Sequence, residues 1–569
     1  MCGGDWCRNR PCIEGCFEQE PSHPNWHTVQ GNHFVLEKTS YSESVSTPFF
    51  VRIFSYLKSF DPFPGGRRSL FSWTILLFWA GCIIVVSIHH ELWRDEVRAL
   101  SLALSTESFL DLPDALRNEG HPMLWYLILR LGYLLIQTPV VLKIASIAIA
   151  SVSIFLFFRF SPFPIWLKLL FLGTVLPAYE YSVMCRNYGI SMLLFFAFAA
   201  LYCRKKGTPF LLALLLVALA HTNAHSLIFV FSLAVYLFCE GLRTGGPQRN
   251  RKDKLVFCSS FLMLGIGVLL AILTILPDGN SIVMESHALT FQQILAEFWR
   301  TIQHPGAKYE TIFIGFPSLL RDVLIWIFFL GLFIRPYAAI IFLVGSITLS
   351  VFFSIGYSGT LRHQGIFFIF LLTVYWIVFF HHRDNKSGNF LAVHKSVIYV
   401  ALPLVFIAQI ALSYKKISRD LTQEMSSSRA FGEYISANKA YESAIIIGEP
   451  DIRLESLPYY VDNPLYVPRE QRFSRYVKLT RDNTQELSMG ELLVVAQSLR
   501  ASENKPILIA LGHFGLADQQ NPPFTRTEQY EKRFTWTKDE LESFQDCTEK
   551  VAEFKQDVEN ERYEVYQLK

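Results

Sequence analysis

Long apolar runs separated by short, cation-bearing connections dominate the pattern of this 569-residue chain. The first covers residues 70–89. Others follow near 139–158, 163–179, 188–203, 208–221, 224–241, 254–276, 317–334, 337–356, 364–381 and 395–413. Runs of roughly 15 to 23 residues match the helix length that crosses a bilayer, and a helix satisfies its own backbone groups there. The pattern predicts a polytopic α-helical membrane protein with about eleven transmembrane spans.

One apolar stretch is set apart from this count. Residues 122–137 make a helix of only ~24 Å, and Arg130 lies inside it. Counting it as a span would reverse every later connection and put Arg204-Lys205-Lys206 and the Arg243–Lys254 cluster outside. It is therefore predicted as a helix lying in the interface, within a first outer loop over 90–138. With that choice Arg52, Lys58, Arg67 and Arg68 fall inside, as do Arg159–Lys168, Arg335 and Arg383–Lys395.

The same loop opens on Trp93-Arg94-Asp95-Glu96. Trp93, Val97, Leu100 and Leu104 recur at helical spacing, which leaves Asp95, Glu96 and Arg98 to face water or a cavity. Pro122 suits the first position of the next interfacial helix, with His121 just ahead. Leu289–Ile302, in the outer loop 277–317, predicts a further amphipathic helix. No internal repeat is visible.

The two ends are different material. Residues 1–69 form a polar arm, expected to be disordered and cytoplasmic, with no helical or strand period over residues 1–48, and no cleavable signal peptide is expected ahead of the first span. Residues 414–569 alternate short β-like runs, Ser443–Ile447 and Pro506–Leu511, with helical stretches such as Leu487–Leu499. They predict a small extracytoplasmic α/β domain.

Composition sharpens the class. The chain is 51% hydrophobic and 15% aromatic, and its 18% charged residues fall below the ~25% of a soluble domain. A net charge of +3 gives no reason to expect nucleic acid as a partner. Of ten cysteines, Cys2, Cys7, Cys12 and Cys16 crowd the amino terminus. Their spacing is not a paired C-x2-C framework, so a plain polar arm is preferred there to a zinc site.

Orientation gathers the unusual polar residues on one face. Asp95, Glu96, Arg117, His121, Glu180, Arg186 and Tyr188 lie there, joined by His221, Asn223, His225, Tyr357, Arg362 and His363. Each has an ordinary explanation alone. Arg186 and Arg362 can snorkel, His221 and His225 can be interfacial, and Glu180 can partner Arg186. Their arrival together at four separate span ends favours a cavity lined by ionisable groups. The chain has no GxGxxG or P-loop run, which argues against a nucleotide-sugar donor in a Rossmann domain.

The acidic pair after the first span, the flat helix and His121-Pro122-Met123-Leu124-Trp125-Tyr126 together resemble the first outer loop of the GT-C glycosyltransferases. The branch most resembled contains protein O-mannosyltransferases and the lipid A aminoarabinose transferase. Those proteins typically carry a Pro-Pro-Leu-Tyr-Tyr-like run. Here Pro122-Met123 replaces the double proline, and His121 stands where a lysine can precede it. Arg186-Asn187-Tyr188-Gly189 and Gly359-Thr360-Leu361-Arg362-His363 are also similar to bacterial members, and the resemblance spans roughly residues 70–410.

The resemblance implies a GT-C-like fold in a bacterial inner membrane, with the site on the extracytoplasmic side. It implies a polyprenyl-phosphate sugar donor and a lipid, glycan or protein acceptor. Asp95 is expected as general base toward an acceptor hydroxyl, inverting the anomeric carbon, with Glu96 tuning or exchanging roles with it. Arg186, Arg362 and His121 are expected on the donor phosphate. Tyr188, Glu180, His225 and His363 are candidates for substrate binding. No residue is assigned to metal and no cofactor is required; a divalent ion is left open, one acidic pair being few ligands. The alternative is a multi-span transporter or flippase of lipid or small solute. Such a protein favours polar groups near mid-membrane on broken, repeated helices.

Overall fold

The computed structural model of the chain describes residues 67–204, 208–245, 250–282, 290–356, 358–382, 389–512, 514, 516, 524–527, 530, 532–555 and 561–569. The arm before residue 67 with its four cysteines, Lys205-Lys206 and Tyr357 lie outside the described residues.

The apolar runs fold into helices in chain order. α1 (Arg67–His89) is the first, followed by α2 (Arg94–Ala103) and α3 (Leu124–Ile136) in the loop after it. Then come α4 (Val141–Phe160), α5 (Ile165–Gly173), α6 (Tyr188–Cys203), α7 (Pro209–Ala220), α8 (Ala224–Gly245) and α9 (Arg251–Ile275). α10 (Phe291–Gln303), α11 (Ser318–Gly331), α12 (Pro336–Ile355), α13 (Leu361–His382) and α14 (Asn389–Thr422) complete this part.

Among the described residues, seven helices are long and apolar enough to cross a membrane: α1, α4, α8, α9, α12, α13 and α14. The chain is a polytopic helical membrane protein. The runs at 163–179, 188–203, 208–221 and 317–334 also fold as helices, but shorter ones. In the first of these the cause is local. Thr174 is extended after α5, and Leu176–Glu180, with Pro177 near its start, continues as a single π-helical turn.

Burial ranks the helices. α13 has 83% of its most apolar window buried, against 22% for α1 and for α9. α13 is thus the central pillar, and α1 and α9 keep apolar faces outward, as lipid-facing helices do. α10 begins at a capping box, in which Thr290 and Gln293 bond each other's backbone N–H groups. It leaves Phe291, Leu295, Phe298 and Trp299 exposed, the pattern of a helix lying on a bilayer.

The first loop is folded. Val97, Leu100 and Leu102 of α2 share a core with Leu112, Leu116, Trp125, Leu129 and Leu142. Arg130 is turned into this unit, donating to Thr106 Oγ1 at 2.6 Å and to the Thr106 and Glu107 carbonyls at 2.7 Å. A guanidinium so satisfied need not face lipid. α3 starts at Leu124, after Pro122, where the Leu124 N–H donates to the His221 carbonyl at 3.1 Å.

α14 runs past residue 413, where its span was expected to end, on to Thr422. Its extension brings Lys416 within 2.6 Å of Glu180 and Asp420 within 2.9 Å of His90. Beyond it, α15 (Ser428–Ala437) leads into strands β1 (Ile445–Glu449), β2 (Leu465–Val467), β3 (Arg472–Phe473), β4 (Glu486–Ser488) and β5 (Ile507–Leu511). Later come β6 (Phe524–Thr527), β7 (Arg533–Trp536), β8 (Thr548–Phe554) and β9 (Tyr563–Leu568), with α16 (Met489–Glu503) and α17 (Lys538–Cys547) between strands. A six-stranded sheet has the order β3-β2-β1-β5-β9-β8, and β4-β7-β6 form a smaller one. β1 lies parallel to β2 and β5, with Ile445 opposite Ile507. Ile445 and Ile447 pack with Leu492 and Ala496, while Ile446 and Leu508 pack with Phe431 and Leu457 on the other face. Burial on both faces explains why these strands read as unbroken apolar runs.

Candidate functional site

A cavity of ≈ 680 Å³ opens where α2, the segment before α3, and the first turns of α8 and α13 meet the carboxy-terminal region. Five arginines line it (Arg94, Arg98, Arg186, Arg362 and Arg453), against three carboxylates (Asp95, Glu119 and Glu561). Guanidinium groups thus outnumber carboxylates in the lining. His121, His225 and His363 complete the polar lining.

Asp95 stands in the first turn of α2, a turn closed by the Glu96 carboxylate accepting the Trp93 N–H at 3.3 Å. Its Oδ2 lies 2.9 Å from Arg186 Nη1, and its own carbonyl accepts from the same nitrogen at 2.8 Å. Arg94 Nε approaches Oδ1 at 3.3 Å. The side chain keeps 30% of its exposure, so the carboxylate faces the cavity. Burial works against its charge, yet Arg186, Arg94 and Arg362 outweigh burial and hold it well below the usual carboxylate range.

Arg186 is delivered by the irregular stretch between the π-helical turn and α6. Asn187 Nδ2 pins that stretch by donating to the Thr222 carbonyl at 2.7 Å, and Ser191 Oγ reaches Thr222 Oγ1 at 2.9 Å. Gly189 is required here, because a Cβ would meet the Tyr181 carbonyl oxygen at 2.8 Å. Arg362 comes from the start of α13, its guanidinium carbon 5.4 Å from the centre of the Trp93 ring. Its Nη1 is buried and has no hydrogen-bond partner among the described residues.

Three further buried polar groups at the cavity lack such partners: His121 Nδ1, Asn187 Oδ1 and both ring nitrogens of His225. Buried polar atoms are ordinarily paired, so this concentration marks a place built for something else to bond. Burial first, then the Arg186 cation, pushes His121 down to about 4, so its imidazole is neutral. The His225 ring lies 4.8 Å from that of His363. His363 Nδ1 is held 2.8 Å from Thr360 Oγ1. Among the described residues, no group of three His, Cys, Asp or Glu stands together to hold a metal ion.

Asp95, Arg186, Arg362, His121, His225 and His363 are thus brought to one cavity, and three other predicted residues are not. Glu96, adjacent to Asp95, is fully buried on another side of α2. It meets His90 Nε2 at 3.0 Å and accepts the Cys185 N–H. His90 Nδ1 meets Asp420 at 2.9 Å. Burial alone would lower His90, but its two carboxylates raise it to about 10, leaving an imidazolium. Glu180 pairs with Lys416, not with Arg186. Tyr188 lies beneath the cavity wall, its ring 5.2 Å from that of His363.

The structure also adds residues. Arg98 bonds Glu119 at 2.6 and 3.1 Å and pairs with Glu455 across the junction to the carboxy-terminal region. Glu561 accepts the Arg94 N–H at 2.7 Å and bonds Ser456 Oγ at 2.9 Å. Burial pushes both Glu455 and Glu561 up to about 7. Tyr530 lines the cavity with a left-handed backbone, φ 62°, an uncommon conformation for a bulky residue. Arg94 and Arg98 share the run that holds Asp95 and were visible there. Arg453, Tyr530 and Glu561 carry no local signal, being placed by the fold of the distant carboxy-terminal region.

These features define a helical membrane protein whose span ends and carboxy-terminal region enclose a cationic cavity. No family model matches the chain, and no curated protein matches it. Solved structures to which it is similar include two that follow. One is ArnT from Cupriavidus metallidurans, in a crystal structure bound to undecaprenyl phosphate, at a TM-score of 0.42 and 12% identity over 89% of this chain and 98% of that one. The other is the arabinofuranosyltransferase AftD from Mycobacteria, at a TM-score of 0.37 and 12% identity over 87% of this chain and 40% of that one. At these scores the likeness is loose, and the residues of the cavity carry the chemistry.

Proposed function

We propose that the chain transfers a sugar from a polyprenyl-phosphate donor to an acceptor hydroxyl, with inversion, at the extracytoplasmic face of a bacterial inner membrane. The observation that carries this reading is the set of Asp95, Arg186, Arg94 and the unbonded Nη1 of Arg362 in one cavity at the span ends.

The electrostatics suit that reaction. A sugar phosphodiester carries one negative charge, and its leaving phosphate gains a second as the glycosidic bond breaks. The excess of guanidinium over carboxylate in the lining, already oriented, favours that product over the substrate. Arginine suits this task because its donors match phosphate oxygens in pairs.

Asp95 as found is a poor base, since its ion pairs stabilise the carboxylate. A donor phosphate would compete for Arg186 and Arg362 and so return basicity to Asp95. An acceptor hydroxyl then loses its proton to Asp95 as the new C–O bond forms. Neutral His121 offers one ring N–H and one acceptor, which suits a sugar hydroxyl, and the His225 ring lines the same cavity. On this reading Glu96 holds the first turn of α2, Glu180 braces α14, and Tyr188 supports the His225–His363 wall. None of the three touches substrate.

The test is the purified chain incubated with polyprenyl-phosphate sugars and candidate acceptors. Asp95→Asn is expected to lower kcat on the order of 10²–10⁴-fold. Transfer at the unaltered rate by that variant would remove Asp95 as the base. Failure to consume any polyprenyl-phosphate sugar, with lipid or solute crossing proteoliposomes instead, would replace the enzyme by a transporter.

A further inference from the structure

A second cavity, ≈ 380 Å³, lies against the other side of α2 from Asp95. The apolar side of α2, with Val97, Leu100 and Leu104, makes one wall. Tyr133 and Pro139, at the α3–α4 turn, contribute a second part, and the segment Arg472–Tyr476 of the carboxy-terminal region closes it.

Three observations specify its ligand. The first is charge: two arginines line the cavity and, among the described residues, no carboxylate does. Arg472 is held in place by Glu470, with Nε 2.6 Å from Oε2, and by the Tyr476 ring 5.2 Å away. Arg475 has, among the described residues, Asp462 as its ion-pair partner, at 3.7 Å and itself fully exposed, a pair of little strength. The second is position. α4 starts two residues beyond Pro139 and is long and apolar enough to span, so the cavity sits where a span leaves the bilayer. The third is the adjoining surface. Leu131, Leu134, Leu135 and Val140 are all exposed around the α3–α4 turn, an apolar patch that water does not favour. Tyr133 and Tyr476 line the cavity together with the arginines, and tyrosine is enriched where proteins meet lipid headgroups.

We propose that this cavity holds the anionic headgroup of a membrane glycerophospholipid, with its acyl chains along Leu134, Leu135 and Val140. The phosphate lies between Arg472 and Arg475, and the glycerol contacts the tyrosine edges. The volume falls in the range of small-ligand sites. α2 separates this lipid from the Asp95 cavity, so the bound headgroup packs behind the helix that presents Asp95. The proposal stands apart from sugar transfer, since its readout is binding.

Native mass spectrometry of the full chain released from detergent, titrated with phosphatidylglycerol and with phosphatidylcholine, tests it. The unaltered chain is expected to retain phosphatidylglycerol about tenfold better. The double variant R472Q/R475Q is expected to lose that preference. Arg475→Gln alone, at an exposed position that leaves folding intact, should lose part of it. Arg362→Gln, in the other cavity, should lose none. Equal retention of the two lipids, or a preference unchanged in both Arg475 variants, would overturn the proposal. Loss of preference with Arg362→Gln would move the lipid to the first cavity. Displacement of the phospholipid by soluble glycerol 3-phosphate would make this a free-phosphate site instead.

Discussion

On the proposed reading the chemistry of the first cavity turns on the Asp95–Arg186 ion pair, and the Nη1 of Arg362 beside it has no hydrogen-bond partner among the described residues. Removing that donor with Arg362→Gln is expected to lower kcat by about 10²–10³-fold, as for other preorganised donors to developing negative charge. Arg362→Lys should recover only part, because an ammonium cannot bond two phosphate oxygens in one plane. Initial rates against donor concentration check both. Behind Asp95, Glu96 does a different job. Glu96→Gln breaks a buried pair and should cost about 3–5 kcal/mol of stability, read by thermal or denaturant unfolding in detergent. The pH dependence has a definite sign. Folded His90 is raised to about 10, against ~6.5 when unfolded. Its contribution is therefore full below pH ~6.5 and lost as pH rises through 10. The stability gap between the unaltered chain and His90→Gln should shrink over that window; a gap that widens there would contradict the imidazolium assignment.

At the scale of elements, α2 is held at its first residue and at its middle by groups far along the chain. Glu561 accepts from the Arg94 backbone across a separation of 467 residues, and Glu455 pairs with Arg98 across 357. Glu455 lies outside the first cavity's lining. Glu455→Ala is expected to reduce hydrogen-exchange protection of the α2 amides without changing that of α13, measured with mass spectrometric readout. Unaltered α2 protection would show that the apolar core of the loop suffices to hold it. The existence of α2 was legible, because Trp93, Val97, Leu100 and Leu104 keep helical spacing. Its anchoring was not, since a carboxylate some 360 residues away leaves no trace in the local pattern. The apolar runs behaved similarly. Hydropathy located them, but the break at Thr174 and Pro177 that shortens α5 depends on how one turn closes.

For the whole molecule, the two cavities, the span ends and the carboxy-terminal region lie toward one end of the helices. If that end is extracytoplasmic, a cysteine placed at Lys478 in a background without the native cysteines should react with an impermeant maleimide from outside intact cells. One placed at Lys252, at the start of α9, should react only after the membrane is opened. The reverse pattern would invert the orientation. Both positions are exposed, so access depends on the side of the membrane and not on burial.

Sequence alone determined that the chain lives in a bilayer, since only long apolar helices satisfy their backbones there, and that its polar residues collect at particular span ends. It marked Asp95, Arg186 and Arg362 because charge beside a span is costly without a purpose. Tertiary structure decided which of those groups share a space. Asp95 and Glu96 are neighbours in the chain, yet one residue turns an α-helix by about 100°. That rotation sends Asp95 to the cavity and Glu96 to His90 and Cys185. Glu180 likewise went to Lys416, 236 residues away. Partners so distant are chosen by how helices and strands pack, and no periodicity in the sequence records that choice.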